Sequence, residues 1–342
     1  MRSKVLIIYT GGTVGMIKDN ETGLLKPFEF EHLTDNIPEL KKFEIDISST
    51  SFEHPLDSSN IRPRDWKKIA LFISENYEKY DGFVVLHGSD TMAFTASALS
   101  FMLPGLSKPV ILTGSQLPIG TIRTDGKENI ITAIEIAASM QNGKPIISEV
   151  CVYFEYQLYR GNRTHKYNAD HFQAFHSANY PVLAEAGVHI KYNHNALYRS
   201  SGAPFQVITA LDNNVAILKM FPGISEDIVH AILHCPNIKG VILESFGAGN
   251  TTTEQWFHDQ LKAAIERDII IVNITQCQAG SVDQGRYETS AVFDDIGVIS
   301  GYDMTTEAAI TKLMLALGNS EDILGAKTIM QTNLRGEMTI EV

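Results

Sequence analysis

Cysteine is scarce in this 342-residue chain, occurring only at Cys151, Cys235 and Cys277. An odd, widely spaced set is no disulfide framework, and C-x-x-C does not occur, so the composition points to a reducing compartment and a core held without covalent staples. Long apolar runs are missing too. None approaches the about 18 residues of a membrane span, and Val5–Tyr9, near the N-terminus, is too short for the apolar region of a secretory signal. Positive charge is in deficit: 28 Lys and Arg against 40 Asp and Glu leave a net charge of −12. So acidic a surface repels phosphate backbones, so neither nucleic acid nor membrane is an expected partner. H-E-x-x-H and the G-x-S-x-G elbow are absent, and the TGGT segment at Thr10–Thr13 lacks the endings of a P-loop or a dinucleotide fold.

A hydrophobic share of 44% with 20% charged residues is that of a globular protein. At about 150 residues per domain, the length favours two domains. Short β-branched runs share one design. Val5–Tyr9 ends in TGGT, Phe83–Leu86 in HGSDT and Val110–Leu112 in TGSQ, while Val241–Leu243 runs towards FGAGN and Ile269–Ile274 into TQCQAGS. Uninterrupted apolar runs of this length fit strands covered on both faces, as in parallel sheets. Between them lie capped helical patterns, at Asp65–Ile73, after Ser225 and from Ala308 to Leu317. The alternation predicts an α/β protein: a larger N-terminal, doubly wound, mostly parallel sheet domain (1–192) and a smaller α/β C-terminal domain (205–342). The polar stretch 193–204 reads as the linker.

Ligands of open parallel sheets bind beyond the carboxyl ends of the strands. Thr10, Thr13, Ser89, Asp90, Thr113, Ser115 and Gln116 all sit at such ends, although the same residue types also favour plain turns. The two glycines of TGGT allow a sharp turn that exposes a hydroxyl beside backbone N–H groups, which suits acyl transfer. A hydroxyl nucleophile needs a base, and a partly desolvated Lys166 oriented by a carboxylate is one candidate; a solvated surface lysine is the plainer alternative. Asp57, Ser58 and Ser59 could grip a zwitterion or cap a helix. His230 and His234, i and i+4 on one face of a predicted helix, stand with Cys235, and His165, His171 and His176 form a looser group; such histidines are more commonly structural, and no metal is expected.

Taken together, TGGTVGM (Thr10–Met16), PLDSSNI (Pro55–Ile61), VVLHGSDTMAFTASALSFML (Val84–Leu103), ILTGSQLP (Ile111–Pro118), LYRGNRTHK (Leu158–Lys166), ESFGAGN (Glu244–Asn250), VNITQC (Val272–Cys277) and NLRGE (Asn333–Glu337) resemble the blocks of the bacterial asparaginase/glutaminase family, in its cytoplasmic type I branch. The resemblance implies hydrolysis of L-asparagine to L-aspartate and ammonia without metal or organic cofactor. It implies Thr13 as the attacking hydroxyl, Ser89 as a second catalytic hydroxyl, and Asp90 and Lys166 as the rest of the proton-transfer group. Asp57, Ser58 and Ser59 would bind the α-amino acid end, joined by Asn250 from a neighbouring subunit of a homodimer or homotetramer. Where relatives usually carry Thr, this chain has Ser89. Many relatives have a Tyr in the loop after the nucleophile; here Val14 to Phe30 contains none, and Leu24 stands near its place. Some type I members bind a second asparagine as an effector, using an Arg at the position of Glu244, with Thr275, Gln276 and Cys277 matching the rest of that pocket. Three alternatives remain open: a glutaminase, the amidase subunit of a tRNA-dependent amidotransferase, and a non-catalytic asparagine sensor. The amidotransferase subunits carry an extra N-terminal domain, whereas TGGT here begins at Thr10.

Overall fold

Aliphatic and β-branched runs form the centre of the first of two units, Met1–Thr209 and Ala210–Val342, in a computed structural model that describes residues 2–18, 25–27, 37–200, 202–284 and 288–340. Eight strands build the first unit's sheet: β1 (Ser3–Gly11), β2 (Ile45–Leu56), β3 (Gly82–Leu86), β4 (Val110–Thr113), β5 (Val150–Phe154), β6 (Gln157–Arg160), β7 (Ala184–Ala186) and β8 (Ile190–Tyr192). Their order is β8-β7-β6-β5-β4-β3-β1-β2. The five strands β2, β1, β3, β4 and β5 are parallel, and the remaining three continue the sheet antiparallel. The expected mostly parallel, doubly wound sheet is therefore present. Both faces of its central strands are covered, which is why β1, β3 and β4 show no polar alternation. Val5, Ile7, Tyr9, Val84 and Leu86 pack with Ile130 and Ile134 of α3 (Gly126–Ala138). Leu6, Ile8, Phe83 and Val85 are buried on the opposite side. The helices α1 (Pro63–Asn76) and α2 (Met92–Met102) are locked to each other where Trp66 Nε1 donates to Thr95 Oγ1 at 2.9 Å.

The order β2-β1-β3-β4-β5 places the next strand on the other side of β1 when the chain passes from β2 to β3. The crevice outside the carboxyl ends of β1 and β3 is thus the topological switch point, where such sheets bind ligands. β2, missed by the sequence reading, is an edge strand of mixed polarity (IDISSTSFEHPL) and lacks the apolar run that marks its neighbours.

Within the stretch 193–204, Ala196 is tied into the first unit. The Ala196 carbonyl accepts from Arg160 Nη2 and from the Tyr180 hydroxyl. Beyond it, Phe205 stacks on Tyr77, and the Gln206 and Ile208 N–H groups donate to Pro104 and Met102.

In the second unit, β9 (Val215–Lys219), β10 (Gly240–Ser245), β11 (Ile270–Thr275) and β12 (Ile299–Ser300) form a parallel sheet in that order. Leu218, Val241, Leu243 and Ile271 pack with Val229 and Leu233 of α4 (Glu226–Leu233) and with Phe257 and Leu261 of α5 (Gln255–Glu266). Ser225 caps α4, as its sequence suggested. Helices α6 (Glu288–Ile296), α7 (Thr306–Asn319) and α8 (Ile323–Gln331) complete the unit. Lys312 of α7 and Glu337 form an ion pair of 2.6 Å with both side chains fully buried. The Lys312 ammonium also donates to the Met330 and Thr332 carbonyls, and the Glu337 carboxylate accepts from the Leu334 and Arg335 N–H groups. Burial pushes the Lys312 pKa down while Glu337 works against that shift. Removing one charge strands the other in the core, so Glu337→Gln is expected to cost about 3–5 kcal/mol of stability in urea denaturation.

Candidate active site

Three strand-end turns meet through glycine. Gly11 and Gly12 have φ of +135° and +88°, conformations that side chains resist. A Cβ on Gly11 would strike the Leu56 carbonyl at the end of β2, and one on Gly12 would lie 2.5 Å from the Gly88 nitrogen and Cα. A Cβ on Gly88 would in turn sit 2.6 Å from Ser58 Oγ. Hydrogen bonds reinforce the contact: Gly12 N–H donates to the Leu56 carbonyl at 3.1 Å, and Thr91 Oγ1 to the Ser58 carbonyl at 2.7 Å. Thr13 and Ser89 each directly follow a glycine of this junction, so two hydroxyl-bearing residues stand at the switch point.

Lys166 reaches the same place from a distant segment. It lies in a two-residue ladder, His165–Lys166 against Phe175–His176, after the turn Gly161–Arg163. Its Nζ is 2.9 Å from Ser89 Oγ and 2.7 Å from Asp90 Oδ1. The lysine side chain is 14% exposed and the aspartate 65%, so the ammonium is shielded while one face of its partner stays open. Ser89 Oγ donates onward to Gln116 Oε1 at 3.2 Å. Asp57 accepts from both the backbone N–H and the hydroxyl of Ser59, at 2.9 and 2.8 Å. Those two bonds hold its carboxyl below the usual carboxylate range, so it stays ionised. Asp57 thus caps the Ser58–Asn60 turn and also presents an exposed carboxylate.

Other strand-end hydroxyls serve the fold instead. Thr10 Oγ1 donates to the Leu86 carbonyl, Thr113 Oγ1 to Tyr153 and Ser115 Oγ to Leu117, all three side chains being buried. Leu24 lies outside the described residues. His165 and His176 face each other across the ladder, the His230 and His234 rings stack at 3.7 Å, and among the described residues no three His, Cys, Asp or Glu side chains cluster as metal ligands would.

The sequence reading missed His87. It is buried, with Nε2 2.9 Å from Thr95 Oγ1 and Nδ1 2.6 Å from the Gly88 carbonyl. The Gly88 carbonyl can only accept, so Nδ1 carries the ring proton and Nε2 accepts from the Thr95 hydroxyl. The neutral ring therefore pins the peptide before Ser89. Its only sequence signal was a polar residue closing an otherwise apolar strand.

In the second unit, Glu244 pairs with Lys219 at 3.0 Å and accepts from Thr306 Oγ1 at 2.6 Å. Gln276 Nε2 donates to the Met220 and Glu244 carbonyls, and Thr275 Oγ1 to the Gly247 carbonyl, while Cys277 is exposed. Asn250 closes the turn that begins at Phe246, through paired backbone bonds.

Comparison with known proteins agrees with this layout. Residues 4–198 match the family description "Asparaginase, N-terminal" and residues 214–330 match "Glutaminase/Asparaginase C-terminal domain". The chain is 40% identical to L-asparaginase 1 of Escherichia coli K12 over 339 residues, covering 99% of this chain and 98% of that one. It is similar to the crystal structure of L-asparaginase I from Vibrio cholerae, with TM-score 0.90, 42% identity, and coverage of 99% and 100%. The thermostable L-asparaginase of Thermococcus kodakarensis superimposes with TM-score 0.90 at 33% identity, with the same coverage.

Burial pushes the His87 pKa from 6.5 down to about 4. The unfolded chain therefore binds this proton first as pH falls, and stability is fully present above pH 6.5 and lost towards pH 4. At about 1.4 kcal/mol per pH unit, the interval amounts to about 3 kcal/mol. Thermal melts at pH 7, 5.5 and 4.5 should show this loss, and His87→Gln should flatten it.

Proposed function

Because the chain belongs to the asparaginase/glutaminase family, we propose that it hydrolyses the side-chain amide of L-asparagine to L-aspartate and ammonia. The observation that carries the reading is the Lys166–Ser89–Asp90 cluster beside the Thr13 turn at the switch point. In this reading the Thr13 hydroxyl attacks the amide carbon and passes its proton to the base formed by the cluster. Acyl transfer also requires donors at the developing oxyanion, and the Gly12 N–H, engaged by the Leu56 carbonyl, is not one of them. Ammonia leaves with a proton returned to its nitrogen, and a threonyl ester remains. With Lys166 unprotonated, Ser89 passes its proton to Nζ, 2.9 Å away, as it takes one from a water that attacks the ester; that proton then returns to the Thr13 oxygen, freeing aspartate and restoring the hydroxyl. Each proton moves between side chains, substrate and water, so the proposal invokes no metal or organic cofactor.

The exposed Asp57 carboxylate, with Ser58 and Ser59, takes the α-amino acid end of the substrate, and Asp90 shares its ammonium. Asn250 completes the site of a neighbouring copy in a homodimer or homotetramer. The unpaired cysteines fit a cytoplasmic setting, and no helix among the described residues is long and apolar enough to cross a membrane. Glu244 is engaged by Lys219 and Thr306, and the Gln276 amide by backbone carbonyls. These bonds favour an enzyme without a second asparagine as effector.

Ammonia release from asparagine and glutamine, measured side by side, tests the reading. Turnover of asparagine is expected, with at least a thousandfold loss of kcat in Thr13→Ala, about what removal of a covalent nucleophile costs. The two amides differ by one methylene, which pockets separate by about 1–3 kcal/mol, so preference for glutamine would redefine the enzyme as a glutaminase. A raised melting temperature with asparagine but no ammonia would make it a sensor. Saturation is expected to be hyperbolic; a sigmoidal curve would show that the effector pocket functions despite Glu244.

A further inference from the structure

We infer that Gln116 is a positioning residue for the reaction proposed above, holding the Ser89 hydroxyl so that its oxygen faces Lys166. The inference rests on that reading and deepens it.

Serine has no β-methyl to restrict its rotamer, so something outside Ser89 must fix its oxygen. Two groups touch that oxygen: Lys166 Nζ at 2.9 Å and Gln116 Oε1 at 3.2 Å. A lysine ammonium only donates, so the serine proton is directed to Gln116 and a serine lone pair to Lys166. The direction of the Gln116 amide is itself determined. Nε2 donates to the His171 carbonyl at 3.0 Å, an acceptor that an amide oxygen could not satisfy, and this turns Oε1 towards Ser89.

The backbone beneath Gln116 is braced as well. Its N–H donates to both Asp125 carboxylate oxygens, at 3.1 and 2.9 Å, and the Leu117 N–H joins one of them at 3.1 Å. Ser115 and Thr124 both donate to the Leu117 carbonyl. Asn129 ties Asp125 to the Gly114 carbonyl. Asp125 is itself largely buried. An acceptor held at this many points is preorganised, and it gives the Ser89 proton a resting station. With Lys166 unprotonated, as its role in the base requires, the hydroxyl can rotate from Gln116 to Lys166 Nζ without displacing its oxygen.

The test is a double-mutant cycle in kcat and KM for ammonia release from asparagine. Gln116→Met keeps length and removes both polar atoms. It is expected to lower kcat about tenfold with KM changed less than about twofold, the signature of an interaction that matters in the transition state. In a Ser89→Thr background, where the β-methyl restricts the rotamer, the same change is expected to cost less than about threefold. Gln116→Glu, which keeps an acceptor for Ser89, is expected to retain more kcat than Gln116→Met. Equal losses in both backgrounds, equal losses for Met and Glu, or a change confined to KM would each overturn the inference. Wild-type turnover is measured first. If it is absent for both asparagine and glutamine, the proposed reaction fails and the inference with it, whereas turnover with kcat unchanged in Gln116→Met removes the inference alone.

Discussion

The contact between the Gly12 and Gly88 backbones decides where everything else in the candidate site can stand. Two peptide segments separated by more than seventy residues approach until no Cβ fits between them, and Gly11 meets the end of β2 in the same way. Parallel strands deliver their carboxyl ends to one edge of the sheet, but only roughly side by side. Glycine removes the side chains that would keep those ends apart. The hydroxyl residues that follow, Thr13 and Ser89, are brought together as a result, and Ser58 is drawn in against Gly88.

Around that junction the protein places charge with restraint. Lys166 is mostly shielded yet has two oxygen partners, so its desolvation is offset by Ser89 and Asp90. His87, packed more deeply, lies below the junction in neutral form and contributes only direction, through its bond to the Gly88 carbonyl. Asp125 plays a similar part beneath Gln116. Burial pushes its carboxyl up, while the N–H groups of Gln116 and Leu117 and the Asn129 amide pull it back. Polar groups that never reach the crevice thus fix the geometry of those that do.

Much of this was legible in the chain. The apolar runs became β1, β3, β4, β10 and β11 because strands covered on both faces need no alternation. β2 was not legible, since an edge strand has one side free and carries polar residues. The antiparallel additions β6, β7 and β8 were not legible either, being only three or four residues long and too short to show a period. The TGGT and HGSDT turns were recognisable as site candidates because glycine beside hydroxyl residues at strand ends is a coherent pattern. Nothing local, however, separated Thr13 and Ser89 from Thr10, Thr113 and Ser115.

That separation depends on carbonyl oxygens far along the chain. The Thr10 hydroxyl is engaged by Leu86 and that of Thr113 by Tyr153, partners set by strand register. The roles of His87 and Gln116 likewise arise from Thr95, Gly88, Ser89 and His171, which only folding brings within reach. By itself the sequence determined the α/β class, the kinds of chemistry excluded and the short segments able to carry a reaction, because periodicity and residue type are local properties. Which hydroxyls face the crevice and which groups aim them was decided by tertiary structure alone, because a hydrogen bond depends on the distance and angle between atoms that the linear order leaves unrelated.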